Sequence, residues 1–414
     1  MPEQIFDFQI NPTNHPTTKS MNLDTLHKAV SGTSAAFRSR TLLQPAGGEG
    51  DKVFPPTYAG AVYAKEERQI KGVKVPCVLL DSVQAQANRL EEALQRALDA
   101  GTLKNIPVLN VDFTGLGLLD EVGRVSSLEA PHRIADAILR DSLHDGQPFR
   151  KSELGKSLDQ ASPQNATPLY KLCPTALIFG LWDSTGPKGG LGAKFQRALV
   201  SEIIGVNAEI GVKTSSRIDP LGMRAAAKVI KKADGSYELA GDKAKDGVSP
   251  AEVNHGNIPP DITKPGGAGG ATVDYAKQTI VLSLPALRKL RFPVDGKTTP
   301  ERDAAARTVL AALALTAAAL AAESGFDLRS RCLLWPTDVM KWELLETPGK
   351  APTEFTLTAE AAIKLLGEAV TAAEKLGLVW QRDAVKLTPS PNLVALLKRS
   401  QDIAAKMPAD ATAE

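Results

Sequence analysis

Residues 174–224 read PTALIFGLWDSTGPKGGLGAKFQRALVSEIIGVNAEIGVKTSSRIDPLGMR. The apolar run at 176–181 predicts a strand covered on both faces. Gly186, Gly189, Gly190 and Gly192 then predict a turn with room for close backbone approach. After it, Lys194 and Arg197 fall on a predicted basic helix, and Arg217 on the segment beyond. From 186 to 232 there are nine Lys or Arg against three acids, a local charge of +6 in a chain of net charge +2, so the remainder carries −4. Cations concentrated in this way suit a surface that tracks phosphates.

A strand, a glycine turn and a helix also describe a mononucleotide site, but the Walker A spacing fails here. Ala193 separates Gly192 from Lys194, and Phe195 stands where the Mg²⁺-binding hydroxyl belongs. The hydrolase nucleophile elbow fails as well, because Trp182 occupies its first glycine position before Ser184.

Composition narrows the class further. The 414 residues are 43% hydrophobic and 23% charged, enough for a sizeable core. The start, MPEQIFDFQINPTNHP, lacks the basic and apolar regions of a signal peptide, and the apolar run at about 308–322 is short and Ala-rich for a bilayer span, so a cytoplasmic protein without membrane contact is expected. Cys77, Cys173 and Cys332 are odd in number and set in apolar runs, as reduced core residues would be. The five His show no zinc-ligand spacing, and neither a metal nor a cofactor is expected.

Strands are predicted at 37–45, 76–82, 106–113, 328–335 and about 377–387. Helices are predicted at 83–100, 128–143 and about 358–376. A long Ala-rich helix should begin at the Thr299–Pro300 cap and end near Gly325. This irregular alternation indicates α+β rather than a repeated βα barrel. Residues 231–272 are poor in large apolar side chains and rich in Gly, Pro, Lys and Asp, the composition of a surface loop that cannot bury itself.

Several strings carry a resemblance: LLDSVQAQANRLEEAL (79–94), SSLEAPHRIADAILRDS (126–142), NATPLYKLCPTALIFGLWDSTG (165–186), GLGAKFQRALVSEIIG (190–205) and SRIDPLG (216–222). In this order they resemble the backbone subunit of the type I-G (formerly I-U) CRISPR Cascade effector, of the RAMP superfamily. The resemblance runs from about residue 35 to at least CLLWP at 332–336. It implies an RRM-like (ferredoxin-like) RAMP core with large insertions over 31–400, between an N-terminal extension (1–30) and a C-terminal tail (401–414), with 231–272 as a thumb-like insertion. It further implies a non-catalytic subunit that oligomerises along the guide RNA in an antiviral Cascade complex. The implied partners are the guide RNA, target DNA paired to it, further copies of the chain, a large subunit and a guide-end-capping subunit. The candidate RNA contacts are Lys188, Lys194, Arg197, Lys213, Arg217, Arg133, Arg38 and Arg40, with no catalytic residue.

Other readings stand beside these. Related type III backbone subunits cleave target RNA with a loop Asp, which makes Asp51, Asp112, Asp145 and Asp183 the candidates for a metal-dependent ribonuclease. Trp182, at the end of an apolar run, reads first as core and second as a base-stacking face. His132 reads as a helix-start residue rather than a general acid, and Arg89 as a surface partner of Glu92. Arg217 either pairs with Asp219 or meets a phosphate.

Overall fold

The computed structural model describes residues 19–185, 192–232, 235–241, 247–262 and 269–406. In chain order the elements that organise it begin with α1 (Leu23–Ser31), β1 (Ala36–Pro45), β2 (Lys65–Ile70), β3 (Val73–Asp81) and α2 (Val83–Asp99). After α2 come β4 (Leu109–Asp112), β5 (Arg124–Ser126), β6 (Ser142–His144), α3 (Thr167–Leu172), α4 (Thr175–Phe179), β7 (Leu181–Trp182), β8 (Lys194–Phe195) and β9 (Leu199–Val206). The remainder contains β10 (Thr214–Arg217), β11 (Ile258–Ile262), β12 (Tyr275–Ser283), α5 (Pro300–Glu323), β13 (Leu333–Pro336), β14 (Trp342–Leu345), β15 (Thr353–Thr356), α6 (Ala359–Glu374), β16 (Val385–Pro389) and α7 (Pro391–Lys406).

The main sheet has the order β15-β14-β1-β12-β9-β3-β2, each neighbour antiparallel to the next. Its centre follows the chain as β1, α2, β9, β12, α5, β14, with β12 lying between β1 and β9. That is the connectivity of a βαββαβ unit, interrupted by insertions before α2, between α2 and β9 and between β9 and β12. Along β1 the side chains alternate: Phe37, Ser39, Thr41 and Leu43 are buried, while Arg40, Leu42 and Gln44 face out. The inward side meets helices. Ser82 caps α2 by accepting from the Ala85 amide, and Ala87, Leu90, Leu94 and Ala97 form its buried stripe.

Helix α5 is the predicted one. Thr299 caps it with Pro300 behind, and it lies against α1, α2 and α6. By length and hydropathy it could pass for a membrane span, but 83% of its most apolar stretch is buried inside the protein. Its alanines let neighbouring helices approach closely. Thr308 and Thr316 satisfy their buried hydroxyls by donating to the carbonyls of Ala304 and Ala312, each at 2.8 Å. A smaller sheet pairs β4 with β5 and, in parallel, with β16, which also pairs with β6.

The α+β expectation holds, as do the elements predicted from 37, 83, 299 and 358. The three cysteines are free and buried. Other local expectations are corrected. Residues 175–179 are helical, since a short all-buried run has no periodicity to separate strand from helix. The predicted basic helix is replaced by β8 and β9, where β-branched residues and neighbours in the sheet outweigh a weak helical pattern. The predicted helix at 128–143 breaks into a 3₁₀ turn at Arg133–Ala135, a single α turn at Ala137–Arg140 and strand β6. The last two predicted strands shift to β13 and β16.

The insertion joining β9 to β12 spans 207–274, wider than the 231–272 read from composition. Its described part is built from ribbons: β10 pairs with β11, and Val229–Lys231 pairs with Tyr237–Leu239. Lys243, Lys245 and Lys264 lie outside the described residues.

Candidate nucleic-acid groove

The stretch that opened the sequence reading turns a corner at Gly180. Its φ of +89° favours glycine, and a Cβ there would sit 2.9 Å from Cγ of Arg197. The corner joins α4 to β7, and β7 pairs with β8 so that Leu181 opposes Phe195 and Trp182 opposes Lys194. Leu181 and Phe195 are buried, which turns the cross-strand pair Trp182 and Lys194 outward. Trp182 is 58% exposed, and the Lys194 ammonium stands 4.9 Å from its ring centroid.

This hairpin forms one wall of a groove of about 960 Å³. The other walls are Gln84 and Asn88 of α2, the turn carrying His132, Arg133 and Arg140, and Lys289 after the short helix Leu284–Arg288. Among the described residues that line it, none is acidic. Lys194 and Arg197 are exposed and make no ion pair with a described residue. Lys289 donates to Oε1 of Gln196 at 3.1 Å. Arg140 pairs with Asp141 and reaches Oγ1 of Thr185 at 3.0 Å; the hydrogen bond from Arg140 holds the Asp141 carboxyl below its ordinary range. An aromatic face beside cations that no described residue neutralises suits a single strand, since such a ring can stack on any base and such cations can meet phosphates.

Behind the groove, Arg133 forms a buried two-point ion pair with Glu91 at 2.7 and 2.6 Å. Burial pushes the Glu91 carboxyl up to about 7, against the pull of Arg133.

The other sequence candidates scatter. Arg38 and Arg40 both pair with Glu343, at 2.7 and 2.8 Å, on the sheet face away from the helices. The Arg38 hydrogen bond is the main reason that the Glu343 carboxyl lies below its usual range. Lys213 and Arg217 belong to the ribbon insertion. Arg217 donates twice to the Gly256 carbonyl, at 3.0 and 2.7 Å, while Asp219 accepts from the amides of Met223, Leu221 and Gly256, so these two do not form the suggested ion pair. Lys188 lies outside the described residues. Arg133 is corrected from a surface contact to an internal tie, since it is only 5% exposed. Arg89 joins Asp81 and the Leu328 carbonyl, leaving Glu92 to Arg96. Trp182 is exposed rather than core.

The four candidate acids are spread over separate loops and a strand end. Asp183 pairs with Arg150, Asp112 accepts from the amide and hydroxyl of Thr114, Asp51 accepts from the Lys52 amide, and Asp145 lies 3.7 Å from His144. Among the described residues, no three His, Cys, Asp or Glu gather as a metal-ligand cluster. Sequence reasoning missed Asn88, Arg140 and Lys289 as groove residues. Nothing in their local patterns announced that three distant segments would meet there.

Residues 37–210 match the model of a family described as CRISPR-associated protein GSU0053. Over that segment the chain is similar to a CRISPR-associated family. The CRISPR association read from its strings agrees with this match, whose range takes in β1 to β9 and most of the groove. Among solved structures, Thermofilum pendens Csc2 is similar at 12% identity, over 92% of this chain and 83% of that one, with a TM-score of 0.27. No curated protein matches the sequence.

Proposed function

We propose that this chain is a non-catalytic backbone subunit of a type I, and specifically type I-G, Cascade effector, binding the CRISPR guide RNA. The observation that carries the reading is the groove itself, in which an exposed Trp182 stands beside Lys194 and Arg197 within the segment that is similar to a CRISPR-associated family. The βαββαβ connectivity supports the RRM-like part of the reading. Contacts to phosphates and base faces are blind to sequence, so specificity falls to base pairing between guide and target DNA. On this reading the protein works in the cytoplasm beside a large subunit and a guide-end-capping subunit. Head-to-tail contacts that do not close would generate the open filament that a guide requires.

The test is co-expression with a guide array and the neighbouring genes, followed by sizing and RNA extraction. Lengthening the guide spacer should add copies of the chain in whole steps; a closed ring of fixed size would refute the filament. The competing ribonuclease reading predicts site-specific cleavage of guide-complementary RNA in Mg²⁺, abolished by substituting Asp51, Asp112, Asp145 or Asp183.

A further inference from the structure

Arg133 has a φ of +55°, a backbone strain that a non-glycine residue holds only where its surroundings fix it. Its guanidinium grips both oxygens of Glu91, 42 residues away on α2, and lies 5.5 Å from the Phe179 ring centroid. The same group donates to the Gly180 carbonyl at 3.2 Å. On its other side, Gly180 packs against Cγ of Arg197, and two residues on stands Trp182. One continuous set of contacts thus runs from α2 through the 131–136 turn to the corner that aims the aromatic face and a groove cation. Glu91 is fully buried, and exchanging a buried ion pair for apolar residues of similar volume is often neutral for stability. Stability alone therefore does not account for an ion pair placed at a strained turn.

We propose that Glu91 and Arg133 are positioning residues for the groove, holding Trp182 and Arg197 in the geometry that receives a single-stranded RNA. This rests on the RNA-binding reading above. Neither side chain supplies a phosphate contact, so their loss should weaken binding without changing the number of phosphates neutralised.

The test compares the wild-type chain with Glu91→Gln, Arg133→Met and the double variant Glu91→Met/Arg133→Met, which leaves no buried charge unpaired. Each is titrated with a mixed-sequence single-stranded RNA oligonucleotide over a salt series and followed by hydrogen exchange. The expected result is affinity lower by roughly 2- to 30-fold with an unchanged salt slope, the range for a residue acting through others. Exchange should rise at 180–182 and 194–197 while the β1 and β12 amides stay protected. If the single variants unfold, the double variant decides. A folded double variant with wild-type exchange at the corner overturns the proposal, whatever its RNA affinity. Absence of RNA binding by the wild-type chain would instead overturn the function, and the exchange readout would still judge the positioning role.

Discussion

Replacing Lys194 and Arg197 together by Ala removes two exposed cations from the groove. If each neutralises one phosphate, the logarithm of the affinity for single-stranded RNA falls with the logarithm of salt by about 0.7 per contact, so the double variant should be flatter by about 1.4. Between about 50 and 200 mM salt, that difference makes the wild-type chain lose roughly sevenfold more affinity than the variant does. Anisotropy titrations of a labelled RNA at four or five KCl concentrations would measure it. The flattening should be equal for unrelated sequences, because phosphates are common to all of them. Both side chains stand at the solvent, and neither makes an ion pair with a described residue, so the melting temperature should barely move. An unchanged slope, or a loss confined to one RNA sequence, would refute the assignment of these cations to phosphates.

Three further outcomes are expected. Trp182→Ala should weaken single-stranded RNA binding by roughly 5- to 150-fold, the worth of one base stack, while leaving the salt slope alone; equal binding by the variant would return this exposed ring to a role unrelated to RNA. The raised Glu91 carboxyl makes stability depend on pH: its contribution is complete below the ordinary carboxyl range and is lost as pH rises toward about 7, where the buried group must ionise. Denaturant midpoints of wild-type and Glu91→Gln chains should therefore diverge with pH in that window, and parallel curves would contradict the buried titration. Ala312→Leu, at a fully buried position of α5, should destabilise by about 1–3 kcal/mol in denaturant unfolding through overpacking, and a neutral result would mean that the helix has more room than its alanines indicate.

The sequence by itself determined the elements whose causes are local. A Thr–Pro cap and an Ala-rich apolar run fix α5, an apolar stripe at helical spacing fixes α2, and a largely alternating pattern fixes β1. It also held the excess of cations at 186–232 and the strings of the segment that is similar to a CRISPR-associated family. Only the tertiary structure decided what depends on partners far along the chain. Residues 175–179 and 199–206 have local patterns that suit either helix or strand, and burial beside neighbouring elements made the choice. Arg38, Arg40 and Arg133 looked like free cations because Glu343 and Glu91 lie 303 to 305 and 42 residues away. Trp182 looked like core because its neighbours in sequence are apolar, whereas pairing with β8 turned it out beside Lys194. Charge and cap chemistry act over a few residues and can be read directly, but a groove is an agreement among distant segments, and only the packed chain brings them to one place.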